Sequence, residues 1–279
     1  MTASSPDLAP RTTRLAPADA AIFETFVVPR YLSLFGELAV ESVAETEGAQ
    51  VVHFGCRTGY PDRGIALRLP GARIWGFDDS PAAVELARVK AATMRDMMAE
   101  YRLSEGYPTD LPDASMSHAI AIHPLAAPDE RQSLIAEMAR VLAPGGQLVI
   151  ALPLRGSFGE VADLLRECAL KQDSAALSAA VERAMVQRPT VEGLSGEIEE
   201  AGFHDVDVTL RPAGVAFANG RAFIEDPITR LLLMPEFRKN LDTDEVSKPF
   251  NYVRDAIDKY WSEGDFELSV HVGCATARR

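Results

Sequence analysis

Two rhythms of apolar and polar residues alternate along this chain. From residue 50 onward, short and nearly unbroken apolar runs are followed by stretches in which apolar residues recur every three or four positions. The first rhythm marks strands buried on both faces, and the second marks helices with one buried face. Their alternation predicts parallel βαβ units. Strands are expected at 50–54, 74–77, 99–103, 119–122, 147–152, 205–210 and 266–275. Ahead of them, Leu32, Phe35, Leu38, Ala39, Ser42 and Val43 share one helical face. Further helices are expected at 61–69, from Pro81 to about 94, at 129–142, and ending at Gly202. Ser80-Pro81 supplies a cap and a first helical proline. Pro144-Gly145-Gly146 is read as a helix-stopping turn.

After residue 152 the rhythm changes. Helical patterns at 158–170 and 175–186 form one insertion, and 220–239 with 250–261 form another. The expected layout is a disordered tail over 1–15, then one domain over 16–279 with helical insertions at about 156–190 and 219–262. No internal repeat or low-complexity linker interrupts it.

The chain has 279 residues, 47% of them hydrophobic, so a large core is within reach. No apolar run approaches the roughly 20 residues that span a bilayer, and the first residues lack the apolar stretch of a signal peptide. Cys56, Cys168 and Cys274 are far apart and form no CxxC pair, which argues against a disulfide framework or a zinc site. A cytoplasmic setting is the simplest expectation. The net charge of -13 opposes nucleic-acid binding. No metal and no membrane partner are expected.

Candidate chemistry gathers where the first strand ends. Val51-Val52-His53-Phe54-Gly55-Cys56-Arg57-Thr58-Gly59 reads as a strand entering a glycine turn and then a helix. Glycine permits a sharp bend and close ligand approach, and the helix start presents unpaired N–H groups. The next strand ends in Gly76-Phe77-Asp78-Asp79-Ser80, where a carboxylate can accept from ribose hydroxyls. Turn, acid and βαβ frame together point to a nucleoside cofactor. A nicotinamide enzyme would show GxGxxG, and this spacing differs. The plain alternative for Asp78 is a first-turn helix acid. His123 lies just past a central strand, at the end where ligands gather in open α/β sheets. It is a candidate general base or the opening residue of a turn before Pro124. His118, at the far end of the same strand, is read as structural. Phe23, Phe26 and Tyr31 are read as core rather than as a lid, and Leu231 to Met234 as docking rather than as a partner patch.

Residues 51–59 resemble the first motif of the class I S-adenosylmethionine-dependent methyltransferase family. GFDDS resembles its second-strand motif, LPDASMSHAIAI the approach to its fourth strand, and ARVLAPGGQLVIALP its fifth helix, turn and strand. FELSVHVGCATA resembles its last, antiparallel strand. The resemblance implies a Rossmann-like α/β fold: a seven-stranded, mostly parallel sheet with an antiparallel last strand, helices on both faces, and helical insertions after strands 5 and 6. It implies S-adenosylmethionine as cofactor. Gly55 and Gly59 match turn glycines, Asp78 the ribose-binding acid, and Glu105 an acid that accepts from the adenine amino group. His53 replaces the family's carboxylate and Arg57 its middle glycine. Arg57 either intrudes on the cofactor or pairs with its carboxylate. Met116 and Ser117 replace an aromatic and an acid. The expected activity is methyl transfer to a small or medium-sized acceptor, with His123 as base. The alternative is a catalytically degenerate fold serving as a binding or regulatory module for a protein partner.

Overall fold

The computed structural model describes residues 14–95, 97–124, 127–241 and 247–279. The expected tail falls outside these residues except for Arg14 and Leu15. Those two are held in place: Leu15 is buried, and its N–H and C=O both hydrogen-bond the Ser80 hydroxyl.

In chain order the elements are α1 (Pro17–Ile22), a π-helical segment (Phe23–Leu32), α2 (Ser33–Ser42), β1 (Gln50–Phe54), α3 (Asp62–Arg68), β2 (Arg73–Asp78) and α4 (Pro81–Thr93). Next come β3 (Met98–Leu103), β4 (Met116–Ile122), α5 (Pro128–Val141), β5 (Leu142–Pro153), α6 (Gly159–Lys171), α7 (Ala175–Gln187), α8 (Val191–Glu200) and β6 (His204–Phe217). The order ends with α9 (Gly220–Glu225), a second π-helical segment (Thr229–Leu233), α10 (Met234–Leu241), α11 (Ser247–Tyr260) and β7 (Phe266–Arg278). The described residues fall into two compact units.

The larger unit comprises Arg14–Leu154, Pro189–Arg211 and Val272–Arg279. It carries the sheet, in the order β3-β2-β1-β4-β5-β7-β6. β1 pairs in parallel with β2 and β4, β2 with β3, and β4 with β5, while β7 runs antiparallel to β5. The order reverses direction between β1 and β4, which opens a crevice at their carboxyl ends. Alternation along β1 explains why both faces are covered. Val52 and Phe54 enter a core with Leu134, Ile135 and Met138 of α5 and Leu194 and Ile198 of α8. Val51 and His53 face the other way, where His53 meets α3. On that second face α2 packs on β5, and Gln147 accepts from Ala44 N–H and donates to the Ser42 carbonyl.

Two polar ties secure the first face. Arg131 on α5 reaches Glu197 on α8 through two hydrogen bonds of 2.6 Å, a paired geometry that strengthens both. Arg140 holds the loop before β4 by donating to Glu137, Asp113 and the Leu111 and Thr109 carbonyls. Glu137 accepts in turn from Thr109 N–H and its hydroxyl.

One expected turn is absent. Leu142 to Gly146 continue as strand, because Gly145 N–H donates to the Arg279 carbonyl and Arg279 N–H to that of Gly146. Backbone pairing with the chain's last residue overrides the Pro-Gly-Gly signal, and Gly145 keeps a φ of 79°. β6 and β7 also run longer than their apolar patterns.

The smaller unit holds Arg155–Arg188 and Pro212–His271. Here α6 packs with α7 and α11, and α9 with α11. The single helix expected over 220–239 is broken after Glu225 and resumes through the π-helical turn, since Pro227 cannot donate to a helix. Leu231 to Met234 are buried there, packed with α9 and α10 rather than docked on the sheet. Phe217, Phe223 and Phe266 form an aromatic cluster with Trp261 against Phe266, and the Arg188 guanidinium lies 4.5 Å from the Phe158 ring centre.

Burial pushes the Glu137 carboxyl up, but hydrogen bonds from Arg140 and Thr109 outweigh it and hold the group below its usual range. A depressed carboxylate contributes stability that is present at neutral pH and lost as pH falls through its folded value. Glu137→Gln is therefore expected to lower stability at pH 7 by about 1–3 kcal/mol. The difference from wild type should shrink in acid. Urea titrations at pH 7 and pH 3.5 check this, and a pH-independent difference would contradict it.

Candidate functional site

The candidate residues converge on one edge of the larger unit, at the carboxyl ends of β1 to β4. The turn after β1 is built by backbone conformation. Gly55, Arg57 and Gly59 all take positive φ, at 65°, 47° and 79°. Glycine adopts this region freely, but arginine does so at a cost of about 1–2 kcal/mol. Cys56 N–H donates to the Phe77 carbonyl and Gly59 N–H to that of Cys56, so the turn is stitched to β2 and to itself. A Cβ built on Gly55 meets no atom within 4 Å, which leaves the face of the turn open to a close ligand.

Asp78 clamps this turn. Its Oδ2 accepts from Arg57 N–H and its Oδ1 from Ser80 N–H, both at 2.9 Å. The Arg57 Nε lies 4.0 Å from the same Oδ2, and the Asp78 side chain is only 2% exposed. Each carboxylate oxygen has a second lone pair beyond the one these N–H groups use. Ser104 N–H donates to the Asp78 carbonyl, which brings Glu105 to the same edge. Glu105 is exposed and accepts from Arg14, which also reaches Asp79 at 3.4 Å.

His53 does not face the crevice's open turn. It lies fully buried beneath α3, and its Nδ1 meets Asp62 Oδ1 at 2.7 Å. The other oxygen of Asp62 accepts from the Tyr101 hydroxyl at 2.7 Å. The His53 Nε2 and the Thr58 hydroxyl are buried with no hydrogen-bond partner among the described residues. Asp62 and Tyr101 went unnoticed in the sequence. A signal existed, since Asp62 sits in the first turn of the helix that follows the motif and Tyr101 is in phase with Ala99 along β3. The same geometry explains Gly76: a Cβ there would lie 2.3 Å from the Tyr101 ring.

His123 follows β4 with a φ of 49° and is buried. Its N–H donates to the Ala151 carbonyl, and its Nε2 lies 2.8 Å from the Tyr31 hydroxyl of the first π-helical segment. Tyr31 and Phe35 pack edge-on against the imidazole. Phe23 and Tyr31 are core residues, while Phe26 is half exposed. His118 meets the Ala44 carbonyl and the Ser117 hydroxyl at the opposite end of β4, a structural position. Burial and the nearby carboxylates of Asp78 and Asp62 push the Cys56 thiol well above its usual value. It is fully buried and packs against Val84, Ala87 and Tyr101. The thiols of Cys168 and Cys274 are also buried and raised by desolvation. Among the described residues, no group of three or more His, Cys, Asp and Glu is arranged to hold a metal, and no helix is long and apolar enough to cross a membrane.

The Asp62 pin is testable through stability. Asp62→Ala leaves His53 and Tyr101 with buried polar atoms unpaired and is expected to cost about 3 kcal/mol. Tyr101→Phe removes one hydrogen bond and costs about 1 kcal/mol. Urea midpoints at constant slope measure both, and an Asp62→Ala value near wild type would remove the pin.

Residues 52–150 match the family model described as a methyltransferase domain. The trans-aconitate 2-methyltransferase of Paracidovorax citrulli is 32% identical over 105 residues, covering 38% of this chain and 39% of that protein. The methyltransferase GfsG of Streptomyces halstedii is 32% identical over 139 residues, covering 47% and 49%. The matched region thus spans less than half the length of either relative. Among solved structures, phosphoethanolamine N-methyltransferase 2 of Haemonchus contortus, in complex with phosphomonomethylethanolamine and S-adenosylhomocysteine, superposes with a TM-score of 0.57. It is 12% identical, and the match covers all of this chain and 61% of that one, which supports the fold. Residues 52–150 thus match a methyltransferase domain, and the strand order and glycine turn around them are similar to those of the class I S-adenosylmethionine-dependent methyltransferase family.

Proposed function

We propose that this protein transfers the methyl group of S-adenosylmethionine to a small or medium-sized acceptor. The observation that carries the reading is the open, positive-φ turn at Gly55 clamped to Asp78 at the switch point of the sheet. The donor set fits an adenosyl group: an uncrowded glycine face, a carboxylate with acceptor positions to spare, and Glu105 at the neighbouring strand end. The cofactor supplies an activated methyl on a sulfonium, and transfer is an in-line displacement. The chain's own residues then have to hold donor and acceptor in line and keep water out.

Each residue has a place in this reading. Asp78 accepts from the ribose, and Glu105 from the adenine amino group. Gly55 and Gly59 let the turn approach the cofactor. Arg57 leans towards Asp78 in the free protein, and the guanidinium turns to the methionine carboxylate on binding, a paired geometry it is suited to make. His53 acts from beneath the turn, where Asp62 provides the carboxylate that position 53 lacks. That substitution of partners favours an enzyme over a degenerate binding module. His123 takes the acceptor's proton, with Tyr31 fixing its ring. Its left-handed backbone is the kind of local strain that functional positions retain.

Calorimetric titration with S-adenosylmethionine and S-adenosylhomocysteine tests the cofactor assignment. Asp78→Ala is expected to weaken binding by about 1.5–3 kcal/mol, and Arg57→Gly by a similar amount, the scale of a hydrogen bond to a charged group. Tightening in Arg57→Gly from a wild type without detectable affinity would instead make Arg57 a blocking residue and the fold a relic.

Once an acceptor is in hand, His123→Ala is expected to slow the single-turnover rate by about 10²–10⁴-fold. Cofactor affinity should stay near wild type. An unchanged rate would return His123 to a turn-forming role.

A further inference from the structure

Behind the glycine turn lies a second concavity that shares only Gly59 with the proposed cofactor contacts. It has a volume of about 700 Å³, within the range of small-molecule sites. It lies among the first π-helical segment, α2, α3, α4 and the start of β3, all within the larger unit. Neither Asp78 nor His123 lines it. Its apolar wall includes Val40, Leu67, Met94 and Met97, with the rings of Tyr60 and Tyr101. The Tyr60 ring lies against α2 at Gly36, where an added Cβ would sit 2.3 Å from Cε1.

The wall carries both signs of charge. Glu24, Glu37 and Glu41 face Lys90 and Arg63. Lys90 is committed: its Nζ lies 2.5 Å from Glu24 Oε1 and donates to the Thr58 carbonyl at 2.9 Å. Glu41 is paired with Arg211. Two acceptors are left over. Glu24 Oε2 is buried with no hydrogen-bond partner among the described residues, and so is the hydroxyl of Thr58, a fully buried residue on the same wall. Glu37 is exposed at the rim. A buried carboxylate oxygen without a donor is costly to leave unpaired. The chain's net charge of -13 further favours a cation over an anion.

We propose that this concavity is a binding site for a small apolar amine, distinct from the cofactor crevice. Its hydrocarbon part lies along Val40, Leu67, Met94 and Met97, and its ammonium group donates to Glu24 Oε2 and the Thr58 hydroxyl. Tyr60 offers an aromatic face to the same cation. Binding at this site is independent of whether the crevice takes S-adenosylmethionine, so the two readings fail separately.

The test uses the full chain with methyl-labelled methionine and three probes of matched shape: 3-phenylpropylammonium, 3-phenylpropanol and 3-phenylpropanoate. The expected result is that the ammonium probe shifts the Met94 and Met97 methyl resonances and binds about tenfold more tightly than the alcohol, the scale of one charged hydrogen bond. The carboxylate should bind least. Glu24→Gln should erase the preference for the cation over the alcohol, and Glu37→Gln, at an exposed position, should reduce it without risk to folding. Val40→Trp should fill the space and abolish binding of all three. Equal affinity for alcohol and ammonium would overturn the proposal, as would binding that survives Val40→Trp, shifts that bypass Met94 and Met97, or no binding at millimolar probe.

Discussion

One buried carboxylate holds the working edge of this protein in register. Asp62, at the start of α3, accepts from Tyr101 on β3 and meets His53 on β1. Three elements that are distant in sequence are thereby fixed to one point directly beneath the glycine turn. In a low-dielectric interior such a network is strong when complete and costly when broken. Gly76 is small because Tyr101 must cross it to reach Asp62, and Gly59 comes close to the same hydroxyl. Asp78 then does for the upper side of the turn what Asp62 does for the lower, drawing two backbone N–H groups into place. The turn is held between two acids, which lets it keep a non-glycine residue at positive φ.

Much of the fold was legible because its central strands are buried on both faces. β1 was read residue for residue, since nothing competes with an apolar run that stops at glycine. α4 was equally plain from Ser80-Pro81, and Ser80 does cap it by accepting from Ala83 N–H. Errors arose where distant backbone supplied the deciding partner. Pro144-Gly145-Gly146 looked like a turn because the sequence cannot show that Arg279 pairs with it. The helix expected over 220–239 ignored Pro227. The π-helical segment over 23–32 has no sequence signature beyond Pro29, yet it delivers both Tyr31 and Glu24.

The site was legible in its residues more than in its partners. Gly55, Arg57, Gly59, Asp78, Glu105 and His123 do gather at one sheet edge, as strand order requires. His53 read as a defect when taken alone. Its meaning depends on a helix-opening acid nine positions later, and such a pairing becomes visible only when α3 folds back over β1. Asp78 was expected as a ligand group, and the structure shows it as a clamp on the turn. Sequence does not show the clamp, because its donors, Arg57 N–H and Ser80 N–H, are backbone groups placed only by the folded turn.

The chemistry of the cysteines gives the molecule a practical property. Cys56, Cys168 and Cys274 are all buried, and desolvation pushes each thiol above its usual value. Alkylating and disulfide-exchange reagents act on the exposed thiolate, so the native chain is nearly silent towards them. A cysteine introduced at an exposed site such as Leu67 would then carry a fluorophore or spin label without removal of the natural three. The packing that buries these thiols leaves the protein ready for distance measurements around its own turn.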